Sequence, residues 1–219
     1  MWQYKSQDKK MSNTFTFDTK LNNYSSIGLS LSGGIDSALL LYYLLRSEYK
    51  VRCYTLIDKG NNNNTEAAKS IKTYVEESVE KNVIAESDIF YGKVISHEFI
   101  TYKKDTKKGK RNKLTEIWTN LFESKKIDCL VLGSTQYLKN IEDIKADADT
   151  SKPTEKWIND LFYRPFLDYD KSWIKTGCDA CGLTDKLPSI SVSCVAVGAV
   201  VPCKECLWCK EKYEVFKCY

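Results

Sequence analysis

The stretch from Ile27 to Arg46 constrains this chain more than any other. A short apolar strand, Ile27 to Leu31, runs straight into Ser32-Gly33-Gly34-Ile35-Asp36-Ser37, and Asp36 to Arg46 follows as a helix apolar on nearly every face. A helix of that kind is buried, not laid on a surface. The alternation then repeats. Val51 to Ile57 reads as a second strand, and Asn61 to Asn64 as a loop whose asparagines suit the cap of the next helix. That helix sets Ala68, Ile71, Val75 and Val79 on one face. Lys93 to Thr101 is a third strand, and Leu114, Ile117, Trp118, Leu121 and Phe122 recur at the spacing of an amphipathic helix. Ile127 to Leu132 is a fourth strand, ended by Gly133, Ser134 and Thr135. Strands joined by crossover helices pair in parallel, so the expected fold is α/β with a doubly wound parallel sheet and ligands at the carboxyl ends of its strands.

Composition narrows the classes. The chain has 219 residues, 42% hydrophobic and 28% charged, which suits one large domain with a real core. Its longest apolar run, Ala38 to Leu45, is too short to cross a bilayer, and Met1 to Lys10 lack the apolar stretch of a signal peptide. The expectation is a cytoplasmic protein with no membrane partner. A net charge of +4 does not demand nucleic acid. With His97 as the single histidine, chemistry that needs several imidazoles has no material. Seven of the nine cysteines fall after residue 177, in local clusters that point to thiolate-held metal in a reducing compartment. We divide the chain into an extension (1–23), a nucleotide-binding α/β unit (24–175) and a cysteine-rich segment (176–219) packed on that same unit.

The glycine loop carries recognisable chemistry. Paired glycines allow a sharp turn and bring bare amides close to a ligand. The helix that follows offers unpaired N–H groups and the positive end of its dipole, which together favour phosphate. Ser32 and Ser37 add hydroxyls, and Asp36 can hold a magnesium ion that bridges phosphate oxygens. No Gly-Lys-Ser/Thr follows and no GxGxxG is present, which argues against P-loop NTPases and dinucleotide enzymes.

Near the other end stand Cys194, Cys203, Cys206 and Cys209, spaced C-x8-C-x2-C-x2-C. Four thiolates close the shell of a tetrahedral zinc and leave no catalytic position open. Lys204 and Lys210 lie beside them to offset negative charge. An iron–sulfur cluster is the alternative occupant.

Taken together these motifs resemble a family. SGGIDS is similar to the SGGxDS pyrophosphate loop of the ATP pyrophosphatase superfamily. The four-cysteine spacing near the C-terminus narrows the resemblance to the 7-cyano-7-deazaguanine synthases. Gly109-Lys110-Arg111-Asn112 resembles that family's GRN segment, and Tyr163-Arg164-Pro165-Phe166 with Lys171-Ser172-Trp173-Ile174 resembles its Pro-Leu and Lys-x-x-Ile stretch. The likeness covers about Ile27 to Phe216. It implies an adenine nucleotide alpha hydrolase-like sheet with a zinc-binding appendage. ATP would lie on Leu31, Ser32, Gly33, Gly34, Ile35, Asp36, Ser37 and Ala38, and Asp36, Ser37, Lys171 and Arg111 would serve catalysis. The implied reaction uses ATP, Mg2+ and ammonia to convert 7-carboxy-7-deazaguanine to an amide and then to the nitrile, for queuosine or related deazapurines. Structural Zn2+ and a homodimer belong to the same expectation. The sequence departs from the family after its fourth strand: Gly133-Ser134-Thr135-Gln136 is followed by no Asp-x-Ser-Gly-Tyr-Pro-Asp-Cys run.

Two other readings stay open. Lys103 to Lys113 holds seven basic residues and one acid, and reads as a solvated loop, a flap over the triphosphate led by Arg111, or an RNA-binding run. Cys178 and Cys181 form a second C-x2-C, read as packing residues or as a redox pair. The basic run and that pair would suit a tRNA-modifying adenylase or sulfur transferase. The departure after Thr135 would suit a nucleotide-binding relative without catalysis. Lys171 reads equally as a phosphate-neutralising cation or a plain helix-start lysine, and His97 as a structural residue.

Overall fold

The computed structural model describes residues 15–58, 63–86, 91–102, 107–136, 138, 154–194 and 201–219. Four parallel strands form the frame: β1 (Ile27–Ser30), β2 (Lys50–Asp58), β3 (Lys93–Tyr102) and β4 (Cys129–Val131). A short hairpin, β5 (Trp157–Ile158) and β6 (Phe162–Tyr163), extends the sheet, with β6 parallel to β4 and antiparallel to β5. The order across the sheet is β3-β2-β1-β4-β6-β5. The hairpin turns through Asn159 and Asp160, both at positive φ, as residue types that tolerate the left-handed region.

Three helices join the parallel strands: α1 (Ile35–Arg46), α2 (Asn63–Glu86) and α3 (Lys107–Glu123). Chain direction decides which face each covers. The steps β1 to β2 and β2 to β3 move one way across the sheet, whereas β3 to β4 returns past β1. Right-handed crossovers therefore put α1 and α2 on one face and α3 on the other. The buried side chains follow that division. Leu29, Leu31, Val51, Cys53 and Val131 pack with α1 and α2, while Tyr54, Ile127 and Leu130 pack with Trp118 and Leu121 of α3.

Helix α1 is the centre of the molecule, with ten of its twelve residues buried. Its apolar circumference is explained by its neighbours: the sheet beneath, α2 beside it, and α4 (Lys171–Ala180) and α5 (Leu187–Ile190) on its remaining sides. Each fully buried leucine here contributes about 2 kcal/mol of transfer free energy. A last helix, α6 (Leu207–Phe216), packs on α4.

Two boundaries differ from expectation. Residues 15–23, assigned above to an extension, belong to the packed body. Leu21 is fully buried in a 3-10 turn, and Phe15 sits among Phe17, Tyr43, Phe166 and Trp173. Asn63 and Asn64 lie inside α2 instead of the loop before it. Among the described residues no helix is long and apolar enough to cross a membrane.

Candidate functional site

The glycine loop lies where β1 and β4 sit side by side and their connections leave in opposite directions. In open α/β sheets such a switch point leaves a crevice at the strand ends. Gly33 turns the chain at φ +81°, and a Cβ there would strike the Asn64 carbonyl at 2.9 Å. Only glycine meets both demands without strain. Gly34 is the N-cap of α1 and supplies no side-chain cap. The first amides of a deeply buried helix are thus left to other partners.

The serines shape the loop in different ways. Ser37 Oγ donates to the Gly34 carbonyl at 2.8 Å and accepts from the Ser32 amide at 3.3 Å, so the buried hydroxyl holds the turn from inside. Ser32 is exposed, and its Oγ lies 3.2 Å from Ser37 Oγ and accepts from the Gly34 amide at 3.3 Å. Leu31 and Ala38, counted above with the nucleotide-binding residues, are core residues. The Leu31 amide donates to the Tyr54 carbonyl, the Leu31 carbonyl accepts from Thr55 Oγ1, and the Ala38 amide closes the first turn of α1 on Gly34. Ile35 is buried as well, leaving its main chain as the part that faces the loop.

Asp36 and Lys171 meet although 135 positions separate them. Lys171 Nζ donates to both carboxylate oxygens of Asp36 at 2.6 Å, with side-chain exposures of 7% and 19%. Lys171 is therefore held against the first turn of α1 by this pair. Its position is set by Asp170, whose carboxylate caps α4 by accepting from the amides of Ser172 and Trp173. Such a pair is costly to bury and more costly to break from one side.

The exit of β4 completes the crevice. Gly133 lies so close to α1 that a Cβ would meet the Ser37 amide nitrogen at 2.9 Å and the Asp36 carbonyl carbon at 3.0 Å. Gln136 then ties this exit to the approach of Lys171. Its amide donates to the Tyr169 carbonyl at 2.7 Å and its side-chain nitrogen to the Leu167 carbonyl at 2.6 Å. Sequence reasoning noted Gln136 only as part of a departure, since nothing local marks a residue that clamps a segment 31 positions away.

The sulfurs of Cys194, Cys203, Cys206 and Cys209 lie within 4.8 Å of one another, a spacing that can hold a metal ion such as zinc. Cys206 caps α6 and Cys209 sits in its first turn, while Lys204 makes the tight turn between ligands at φ +65°. The amides of Cys206 and Glu205 pull the Cys203 thiol down to about 6, towards the thiolate form that a metal takes. Burial pushes Cys209 the other way, a tendency that a bound cation would reverse. The Val192 amide donates to the Gly33 carbonyl at 2.8 Å, which ties the segment leading to Cys194 to the glycine loop.

Cys178 and Cys181 stand outside this four-sulfur group. Cys178 is fully buried on α4 and burial raises its thiol, which makes it a packing residue. Of the basic run, residues 103–106 and the side chain of Arg111 lie outside the described residues. From Lys107 onward the backbone is helical, where a loop or flap was expected. His97 donates from Nε2 to Thr55 Oγ1 at 2.8 Å, because the one hydroxyl proton of Thr55 already goes to the Leu31 carbonyl. It acts as a structural residue on β3. A scan of protein-family models and a search of curated proteins each return no match.

Proposed function

We propose that this chain is an ATP-dependent carbon–nitrogen ligase that releases AMP and pyrophosphate. It adenylates a carboxylate and aminates it with ammonia, in the manner of the 7-cyano-7-deazaguanine synthases its motifs resemble. The observation that carries the reading is the uncapped start of α1 behind Gly33, with the Asp36–Lys171 pair beside it at the switch point. An uncapped, buried helix N-terminus favours a multiply charged anion. A cation beside it can neutralise a leaving pyrophosphate.

In this reading the triphosphate tail rests on the amides of Gly34, Ile35 and Asp36, with the exposed Ser32 hydroxyl as a further donor. Asp36 is the residue that would hold magnesium, which supplies charge neutralisation to the phosphates. Lys171 then has a phosphate oxygen to turn to in place of the Asp36 carboxylate. A substrate carboxylate oxygen attacks the α-phosphorus, pyrophosphate leaves, and ammonia displaces AMP from the acyl adenylate to give an amide. With 7-carboxy-7-deazaguanine, a second adenylation on the amide oxygen and loss of AMP gives the nitrile. The chain's own contribution is positioning and charge.

The sulfur-transfer alternative is disfavoured by the burial of Cys178, whose raised thiol suits no persulfide carrier. The test is a mass-spectrometric product screen with magnesium ATP, ammonia and deazaguanine acids. AMP and pyrophosphate should form in step with amide or nitrile, and Asp36→Asn should abolish both in a chain that is less stable but still folded by circular dichroism. ATP turnover with no carboxylate consumed, or full activity in the variant, rejects the reading.

A further inference from the structure

Lys212 is the least expected buried group in the molecule. It lies on α6 one turn after Cys209 and is 1% exposed. Its Nζ donates to the Ser191 carbonyl at 2.7 Å, the one acceptor it has among the described residues. An ammonium carries three donors, so a single carbonyl leaves most of its capacity unmet, and burial itself disfavours the charge. The neighbouring carboxylate is engaged elsewhere: an oxygen of Glu211 accepts from the Leu138 amide at 3.0 Å.

The place of this charge is informative. Ser191 precedes Val192, whose amide is bonded to the Gly33 carbonyl, so the Lys212 head is held one peptide unit from the glycine loop. Helix α6 packs on α4; burial disfavours the charge on Lys212 most, the thiols of Cys218 and Cys209 favour it, and the ammonium of Lys171 opposes it. Lys171 is already neutralised by Asp36. Beside the glycine loop, one cation is thus paired with a carboxylate and a second, Lys212, is bonded to a main-chain carbonyl.

We propose that Lys212 is a second phosphate-binding cation, which meets the pyrophosphate end of the nucleotide opposite Lys171. The four-cysteine cluster fixes the start of α6 and so presents this lysine to the loop. The proposal rests on the glycine loop being a phosphate site and deepens that reading. It accounts for a buried ammonium that pairs with no carboxylate among the described residues, and it assigns the cysteine-rich segment a part in binding.

The experiment is calorimetric titration of the zinc-loaded full chain with magnesium pyrophosphate and with a non-hydrolysable ATP analogue. Wild type should bind both. Lys212→Gln, which keeps a donor for the Ser191 carbonyl but removes the charge, should bind pyrophosphate about 10- to 100-fold more weakly. Lys212→Arg should retain most of the affinity, and zinc content and melting temperature should stay close to wild type in both variants. Undiminished binding by Lys212→Gln overturns the assignment of Lys212 and leaves the ligase reading intact. Equal loss in the Gln and Arg variants makes the role structural and also overturns it. Wild type that binds neither probe overturns the phosphate reading of the loop itself, and this inference with it.

Discussion

His97 shows how much a single side chain can say about the sheet. Its Nε2–H is committed to Thr55, and Thr55 holds the Leu31 carbonyl directly before the glycine loop. Burial, with Lys72 and Lys69 nearby, lowers its pKa from the ordinary 6.5 to about 4. The folded state thus resists protonation that the unfolded chain accepts. Stability from this group is fully present above pH 6.5 and declines as the pH falls towards 4, below which no more is lost through it. His97→Gln, which can donate to the same hydroxyl, should flatten that decline. Urea melts of both proteins between pH 4 and 7 test this, and parallel curves would contradict it. The same residue illustrates what local sequence conveys. A lone histidine after an apolar strand was legible as structural, but its Thr55 partner, 42 positions away, was not.

At the scale of elements, the site is a close fit between two segments. The exit of β4 touches the first turn of α1 at Gly133, and any Cβ there meets main chain, which cannot swing aside. Gly133→Ala should therefore push the β4 exit off Asp36 and Ser37. We expect about 1–3 kcal/mol of destabilisation, in the range of overpacked sites, and at least a tenfold loss of ATP turnover. Turnover at the wild-type level would show that the contact is incidental. The elements most legible in sequence were those with local signals: the β1–loop–α1 unit, the one-faced helix α2 and the four-cysteine spacing. The two-residue strands β5 and β6 carry too few side chains to show a period. The helical start at Lys107 was not legible because a run of charge carries no apolar period, and the burial of Lys212 was not legible because nothing beside it in the sequence marks it as inward-facing.

At the scale of the whole molecule, the cysteine-rich segment is tied to the glycine loop by the Val192 amide on the Gly33 carbonyl, and to α4 by α6. The chain should bind one equivalent of zinc and remain colourless, since visible absorbance would indicate an iron–sulfur cluster instead. The depressed thiol of Cys203 gives the sign of the pH effect: lowered from the ordinary 9 to about 6, it contributes stability that is full above pH 9, declines as the pH falls, and is gone below about 6. Chelation at pH 5.5 should thus strip the metal faster than at pH 7.5. Zinc release followed with a colorimetric reporter checks this, and a pH-independent rate would refute it.

The two faces of the sheet are unequally clothed. One side is layered by α1, α2, α4 and α5, the other by α3 with a small cluster around Tyr54 and Trp118. Under mild denaturant the thin side should open first, as a separate unit, while the thick side stays shut. Amide exchange would then show α3 losing protection at a lower free energy than α1. A chain opened in this way would keep its glycine loop, still seated on the stronger half, and could close again without rebuilding it.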